Sequence, residues 1–181
     1  MIILGIDPGS RRTGYGVVEV LGKKERLVEY GVLHLDVQKS NAWRLKQVYD
    51  RLLQVIDRCL PDECAIEMPV YGQNPQSMLK LGRAQAAAML AVLNRQIPVT
   101  EYTPKEVKKS VTGNGNASKQ QVWYMVRSIL EVEDGNLPLE LDASDALAVT
   151  LCHAHRMAKG PARAHRNWKS FVEANPDRVA G

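Results

Sequence analysis

Hydrophobic residues change their spacing partway along this chain, and that change dictates the class of fold. Ile2–Asp7 is an apolar run that stops at Asp7-Pro8-Gly9, the pattern of a buried strand leaving into a turn. Two more strand-like stretches follow, Thr13–Val20 and Arg26–Leu35, with Gly22-Lys23-Lys24 as a hairpin connection. The period then shifts. Leu45, Val48, Tyr49, Leu52, Ile56, Cys59 and Leu60 recur at three and four, which predicts an amphipathic helix packed on a sheet. Short strands at Cys64–Met68 and Pro98–Tyr102 alternate with further helices: Ser77–Leu93, one opened by the capping box Thr103-Pro104-Lys105-Glu106, one opened by Ser118-Lys119-Gln120-Gln121, and Asp142–Met157. Strands joined by hairpins and then alternating with helices make an α/β domain with a mixed five-stranded sheet flanked by helices. The second half of Ser77–Leu93 is apolar nearly all round. It predicts a helix buried on more than one side, between sheet and neighbours or at a subunit contact.

With 181 residues, 45% of them hydrophobic and 24% charged, the chain has material for one domain and a real core, which excludes general disorder and repeat or collagen composition. The helical and strand patterns end near residue 158, so residues 1–158 read as the domain and 159–181 as a basic, flexible tail. No apolar run approaches the roughly 20 residues of a membrane span, and the opening run is too short for a secretory signal. Cys59, Cys64 and Cys152 have no CxxC spacing, which argues against a zinc ribbon or disulfide scaffold and for a reducing cytoplasm. The net charge is +4, and the tail alone carries five basic residues against two acidic ones. The body is therefore nearly neutral, and any polyanion it binds must meet local patches.

Chemistry enters with the carboxylates. Asp7 sits at the carboxyl end of the first strand, where ligands gather in α/β sheets, although Asp-Pro-Gly is also a good turn. Glu67 interrupts a strand that otherwise reads as covered on both faces. A buried carboxylate there needs a cation or a raised pKa, unless the strand lies at an edge. Asp142 and Asp145, spaced i, i+3 at a helix start, project from nearly the same face and also stabilise that start. Four such anions gathered at one sheet edge repel unless divalent cations neutralise them. Oxygen-only ligands suit Mg²⁺ or Mn²⁺, and two ions about 4 Å apart hydrolyse phosphodiesters. His153 and His155, at i, i+2, point to different faces without completing a metal set; one packed and one solvated is the expectation.

The stretches that carry these acids resemble a known family. Ile6-Asp7-Pro8-Gly9-Ser10-Arg11-Arg12-Thr13-Gly14-Tyr15-Gly16-Val17 is similar to the opening of the RuvC crossover-junction endonucleases. Ala65-Ile66-Glu67, Leu79-Lys80-Leu81-Gly82-Arg83-Ala84 and Asp142-Ala143-Ser144-Asp145-Ala146-Leu147-Ala148 follow in matching order and spacing, so the resemblance runs from Ile2 to Met157. It implies a ribonuclease H-like fold and a symmetric homodimer. The activity it implies is resolution of four-way (Holliday) DNA junctions by paired nicks, in recombination and repair, with the RuvA–RuvB branch-migration proteins as partners. By the same resemblance Asp7, Glu67, Asp142 and Asp145 form the catalytic set holding two Mg²⁺ ions, with Mn²⁺ as a substitute. Lys108 and Lys119 match basic residues that hold the scissile phosphate, although each also reads as a solvated helix position. Where the family commonly has an aromatic wedge, this chain has Val70 and then Tyr71, which either stacks on an unpaired base or covers the loop. Gln73 replaces a frequent Lys.

Other classes remain to be weighed. Asp7-Pro8-Gly9 with Thr13-Gly14 also resembles the first phosphate loop of actin-like ATPases, but the chain lacks room for their second domain. An inactive junction-binding module would not need all four acids, and a ribonuclease for RNA–DNA hybrids would share the fold.

Overall fold

The computed structural model describes residues 1–22, 24–69, 74–132 and 141–158. Its elements run β1 (Ile2–Asp7), β2 (Arg12–Leu21), β3 (Lys24–His34), α1 (Asn41–Cys59), β4 (Glu63–Glu67), α2 (Pro75–Leu93), β5 (Val99–Tyr102), α3 (Pro104–Thr112), α4 (Lys119–Ile129) and α5 (Leu141–Ala158). The mixed five-stranded sheet predicted from the sequence has the order β3-β2-β1-β4-β5. β1 pairs antiparallel with β2 and parallel with β4, and β4 pairs parallel with β5.

Burial on both faces explains the apolar run at the N-terminus. Leu4 and Ile6 of β1 point with Val17, Cys64 and Ile66 towards Val48, Leu52 and Ile56 of α1 and Ala88, Ala91 and Val92 of α2. The opposite face places Val18 and Ala65 against Val107 and Val111 of α3, Val122 and Val126 of α4, and Leu147 and Leu151 of α5. Asp7 lies two residues on from Gly5, and Glu67 two on from Ala65, so strand alternation directs both acids to the α5 side.

That side has a floor of glycine. A Cβ on Gly5 would stand 2.0 Å from Thr150 Oγ1, one on Gly16 2.5 Å from Leu147 Cδ2, and one on Gly14 1.9 Å from the Asp142 carbonyl oxygen. Gly5 and Gly16 face each other across β1 and β2, as do Asp7 and Gly14. The missing side chains let α5 lie directly on the sheet, and Thr150 Oγ1 reaches the carbonyls of Ala146 (2.9 Å) and Gly16 (3.2 Å).

Both predicted capping boxes form. Thr103 N–H donates to Glu106 (2.9 Å) and Ser118 N–H donates to Gln121 (2.8 Å), fixing the starts of α3 and α4. The helix expected at Ser77–Leu93 starts earlier, at Pro75, with Asn74 as its cap. Within a single chain it is covered on one side only, so of the two predicted settings, between sheet and neighbours or at a subunit contact, the first is not adopted. Ala84, Ala88, Ala91 and Val92 are covered, while Leu79, Leu90 and Leu93 are about half exposed or more. The covered stripe packs mainly against α1, and among the described residues no element lies over the other stripe.

Candidate active site

Two acids come from neighbouring parallel strands. The register Ile6↔Ile66 makes Asp7 and Glu67 the next residues of β1 and β4, at the carboxyl ends where both strands finish. Because β4 lies between β1 and β5, the edge-strand reading of Glu67 is excluded. The other two acids come from the start of α5, which contact with Gly14 sets beside Asp7.

The charges of this group act on one another. Burial, with the nearby charges of Asp145 and Asp142, pushes the Asp7 acid up to about 7, against a smaller opposing pull from Lys119. Burial, then Asp7 and Asp145, pushes Glu67 up to about 8, with Lys119 and Lys108 opposing. The two lysines singled out from the sequence thus both stand within electrostatic reach of the acids. Lys119, the first residue of α4, donates to Asp145 Oδ2 at 2.6 Å, and that hydrogen bond raises its own pKa. Arg12, which sequence reasoning gave no role, places Nη1 3.6 Å from Asp142 Oδ2. Its signal was position alone, two residues before the Gly14 that faces Asp7.

The donor chemistry fits divalent cations: hard oxygen ligands only, two of them half-buried acids raised in pKa first by burial and then by neighbouring carboxylates. The side chains do not yet close into a cage. Among the described residues no three acidic, His or Cys side chains gather closely enough to grip one ion. Asp142 leans to Arg12 and Asp145 to Lys119, so protein cations hold two of the four acids. The arrangement can keep a cation and a phosphate together beside acids able to exchange protons near neutral pH.

Tyr71, with Val70 and Gln73, lies outside the described residues, as does the tail from residue 159. His153 is packed as expected: its Nδ1 stands 2.8 Å from Tyr102 Oη, and burial lowers its pKa. His155 is half-buried, not solvated, because Ser110 (3.3 Å) and Glu25 (3.8 Å) cover it.

A family model described as "Crossover junction endodeoxyribonuclease RuvC" matches residues 3–153. The crossover junction endodeoxyribonuclease RuvC of Salinibacter ruber is 59% identical over 180 residues, covering 99% of both chains. That of Porphyromonas gingivalis is 48% identical over 98% of this chain and 96% of its own. Among solved structures, Thermus thermophilus RuvC in complex with Holliday junction substrate superposes with a TM-score of 0.81 at 34% identity, covering 88% of this chain and 96% of that one. The five-stranded sheet with its flanking helices is accordingly ribonuclease H-like.

Proposed function

This chain belongs to the RuvC family of crossover junction endodeoxyribonucleases, and from that premise we propose that it resolves four-way DNA junctions at the acids gathered where β1 and β4 end. The observation that carries the proposal is the convergence of acids from three separate elements: Asp145 and Asp142 raise the pKa of Asp7, Asp7 and Asp145 raise that of Glu67, and Lys119 and Lys108 act on the same group. In this reading the four carboxylates hold two Mg²⁺ ions, which Mn²⁺ replaces. Bound there, the ions supply activation of water and neutralisation of the departing 3′ oxygen.

The protein's own groups do the rest. Lys119 and Lys108 bind the scissile phosphate and soften the charge that builds on it in the transition state. Lys119 first has to give up Asp145, an exchange of one oxyanion for another at the same ammonium. Tyr71 stacks on a base unpaired at the crossover. Residues 1–158 form the nuclease domain, and the basic stretch 159–181 adds a general attraction for DNA.

Paired nicks need two sites related by the symmetry of the junction, so the working unit is a homodimer, with the exposed stripe of α2 at Leu79, Leu90 and Leu93 available for that contact. The family resemblance supplies the RuvA–RuvB proteins as partners, and three cysteines without CxxC spacing favour a reducing cytoplasm as the compartment. No helix among the described residues is long and apolar enough to cross a membrane.

The test is to incubate the protein and Mg²⁺ with labelled four-way junction, linear duplex and RNA–DNA hybrid. Cleavage of the junction alone, lost in Asp7→Asn while junction binding persists, is the expected result. Wild-type cleavage rates in that variant would remove Asp7 from the chemistry.

A further inference from the structure

Arg12 stands at the rim of the acids on a rigid mount. Thr13 beside it is fully buried, and its Oγ1 lies 3.3 Å from both the N–H and the carbonyl of Gly9. The turn is so tight that a Cβ on Gly9 would stand 1.9 Å from the Arg12 carbonyl oxygen. The next step along β2 reaches Gly14, against which the Asp142 backbone rests. The main chain under Arg12 is therefore fixed, while its side chain remains 60% exposed.

The guanidinium is loosely held. Elsewhere in the molecule, arginines grip their carboxylates through direct hydrogen bonds, as Arg95 does to both oxygens of Asp57 at 2.7 and 2.9 Å. Arg58 holds Glu29 in the same two-nitrogen manner. Arg12 Nη1 stands 3.6 Å from Asp142 Oδ2, an ion pair beyond hydrogen-bond distance on a side chain that is mostly exposed. A planar fork of free N–H groups, next to acids that handle a phosphodiester, matches a phosphate better than it matches its present partner.

We infer that Arg12 is a substrate-binding residue: its guanidinium exchanges Asp142 for a phosphate of the DNA strand bound at the site, and so frees that carboxylate as the strand arrives. The inference rests on the junction-resolving reading. It adds a cation from β2, beside Asp142, to the two lysines of α3 and α4.

The experiment is equilibrium binding of a fluorescent four-way junction in EDTA, across a salt series, for wild type, Arg12→Gln and Arg12→Lys. Loss of one phosphate contact lowers the log–log salt slope by about one unit and weakens binding roughly 3- to 10-fold at low salt. Arg12→Gln should show both changes with an unaltered melting temperature, and Arg12→Lys should restore the slope but not the full affinity. An Arg12→Gln protein with the wild-type slope and affinity overturns the inference and leaves Arg12 as a partner of Asp142 alone. Wild-type protein that binds the junction with no salt dependence would instead overturn the resolvase reading on which it rests.

Discussion

The replacement Glu67→Gln should make the metal-free protein more stable while destroying its activity. In the fold this acid is pushed from 4.5 up to about 8, first by burial and then by Asp7 and Asp145. The native state therefore keeps a proton that the unfolded chain has already released, and stability falls as pH rises from about 4.5 to about 8. By pH 7 the solution is roughly 2.5 units above the unfolded acid's value while the folded acid still keeps its proton, which at about 1.4 kcal/mol per unit disfavours folding by about 3 kcal/mol. A neutral amide of the same shape carries no such titration and pays a smaller desolvation cost, so a gain of about 1–3 kcal/mol is expected. For a domain of this size that is a rise of roughly 3–10 °C in melting temperature. The assay is thermal denaturation of both proteins in EDTA between about pH 5 and pH 8. Wild type should lose stability across that interval, and the variant's advantage should shrink towards the acid end. Adding Mg²⁺ at the alkaline end should stabilise wild type more than the variant. A variant no more stable than wild type at the alkaline end, or a wild-type curve flat with pH, would refute the electrostatic account of the site.

Other perturbations test the scaffold and the cations. Gly14→Ala sets a methyl 1.9 Å from the Asp142 carbonyl and should cost about 2–4 kcal/mol in denaturant melts, or displace α5 and depress cleavage with it. Gly82→Ala, inside α2 with nothing within 4 Å of the added atom, should instead stabilise by about 0.5–1 kcal/mol in the same melts. Lys119→Gln should lower the salt slope of junction binding by about one unit and slow cleavage by more than it weakens binding; equal losses would make Lys119 a binding group only.

Asp7 and Glu67 were legible in the sequence because they break a local rule, whereas Asp142 and Asp145, ordinary residues for a helix start, gained meaning only beside them and through the family resemblance. Glu67 is a charge in a covered strand, and Asp7 ends an apolar run, so the chemistry showed as inconsistency in the pattern. Lys119 was singled out, with Lys108, through the family resemblance and the local density of lysines, while its capping box fixed it at the first position of a helix. What escaped notice depends on contacts between distant segments. Gly5, Gly14 and Gly16 read as weak strand residues until α5 is seen resting on them. Arg12 acquires meaning only from Asp142, far along the chain. The exposure of Leu90 and Leu93 could not be read from composition, since an apolar helix looks the same whether one side or two are covered. His155 was misjudged for a similar reason, its cover coming from α3 and β3.

The order in which the acids enter the chain has a consequence for synthesis. Asp7 and Glu67 emerge early, on strands that can pair at once, whereas Asp142 and Asp145 arrive on the last of the described helices. On the proposed reading, half of the catalytic set is therefore missing until that helix has left the ribosome and docked. A copy terminated before it would carry only the two strand acids and, on the same reading, could not cut.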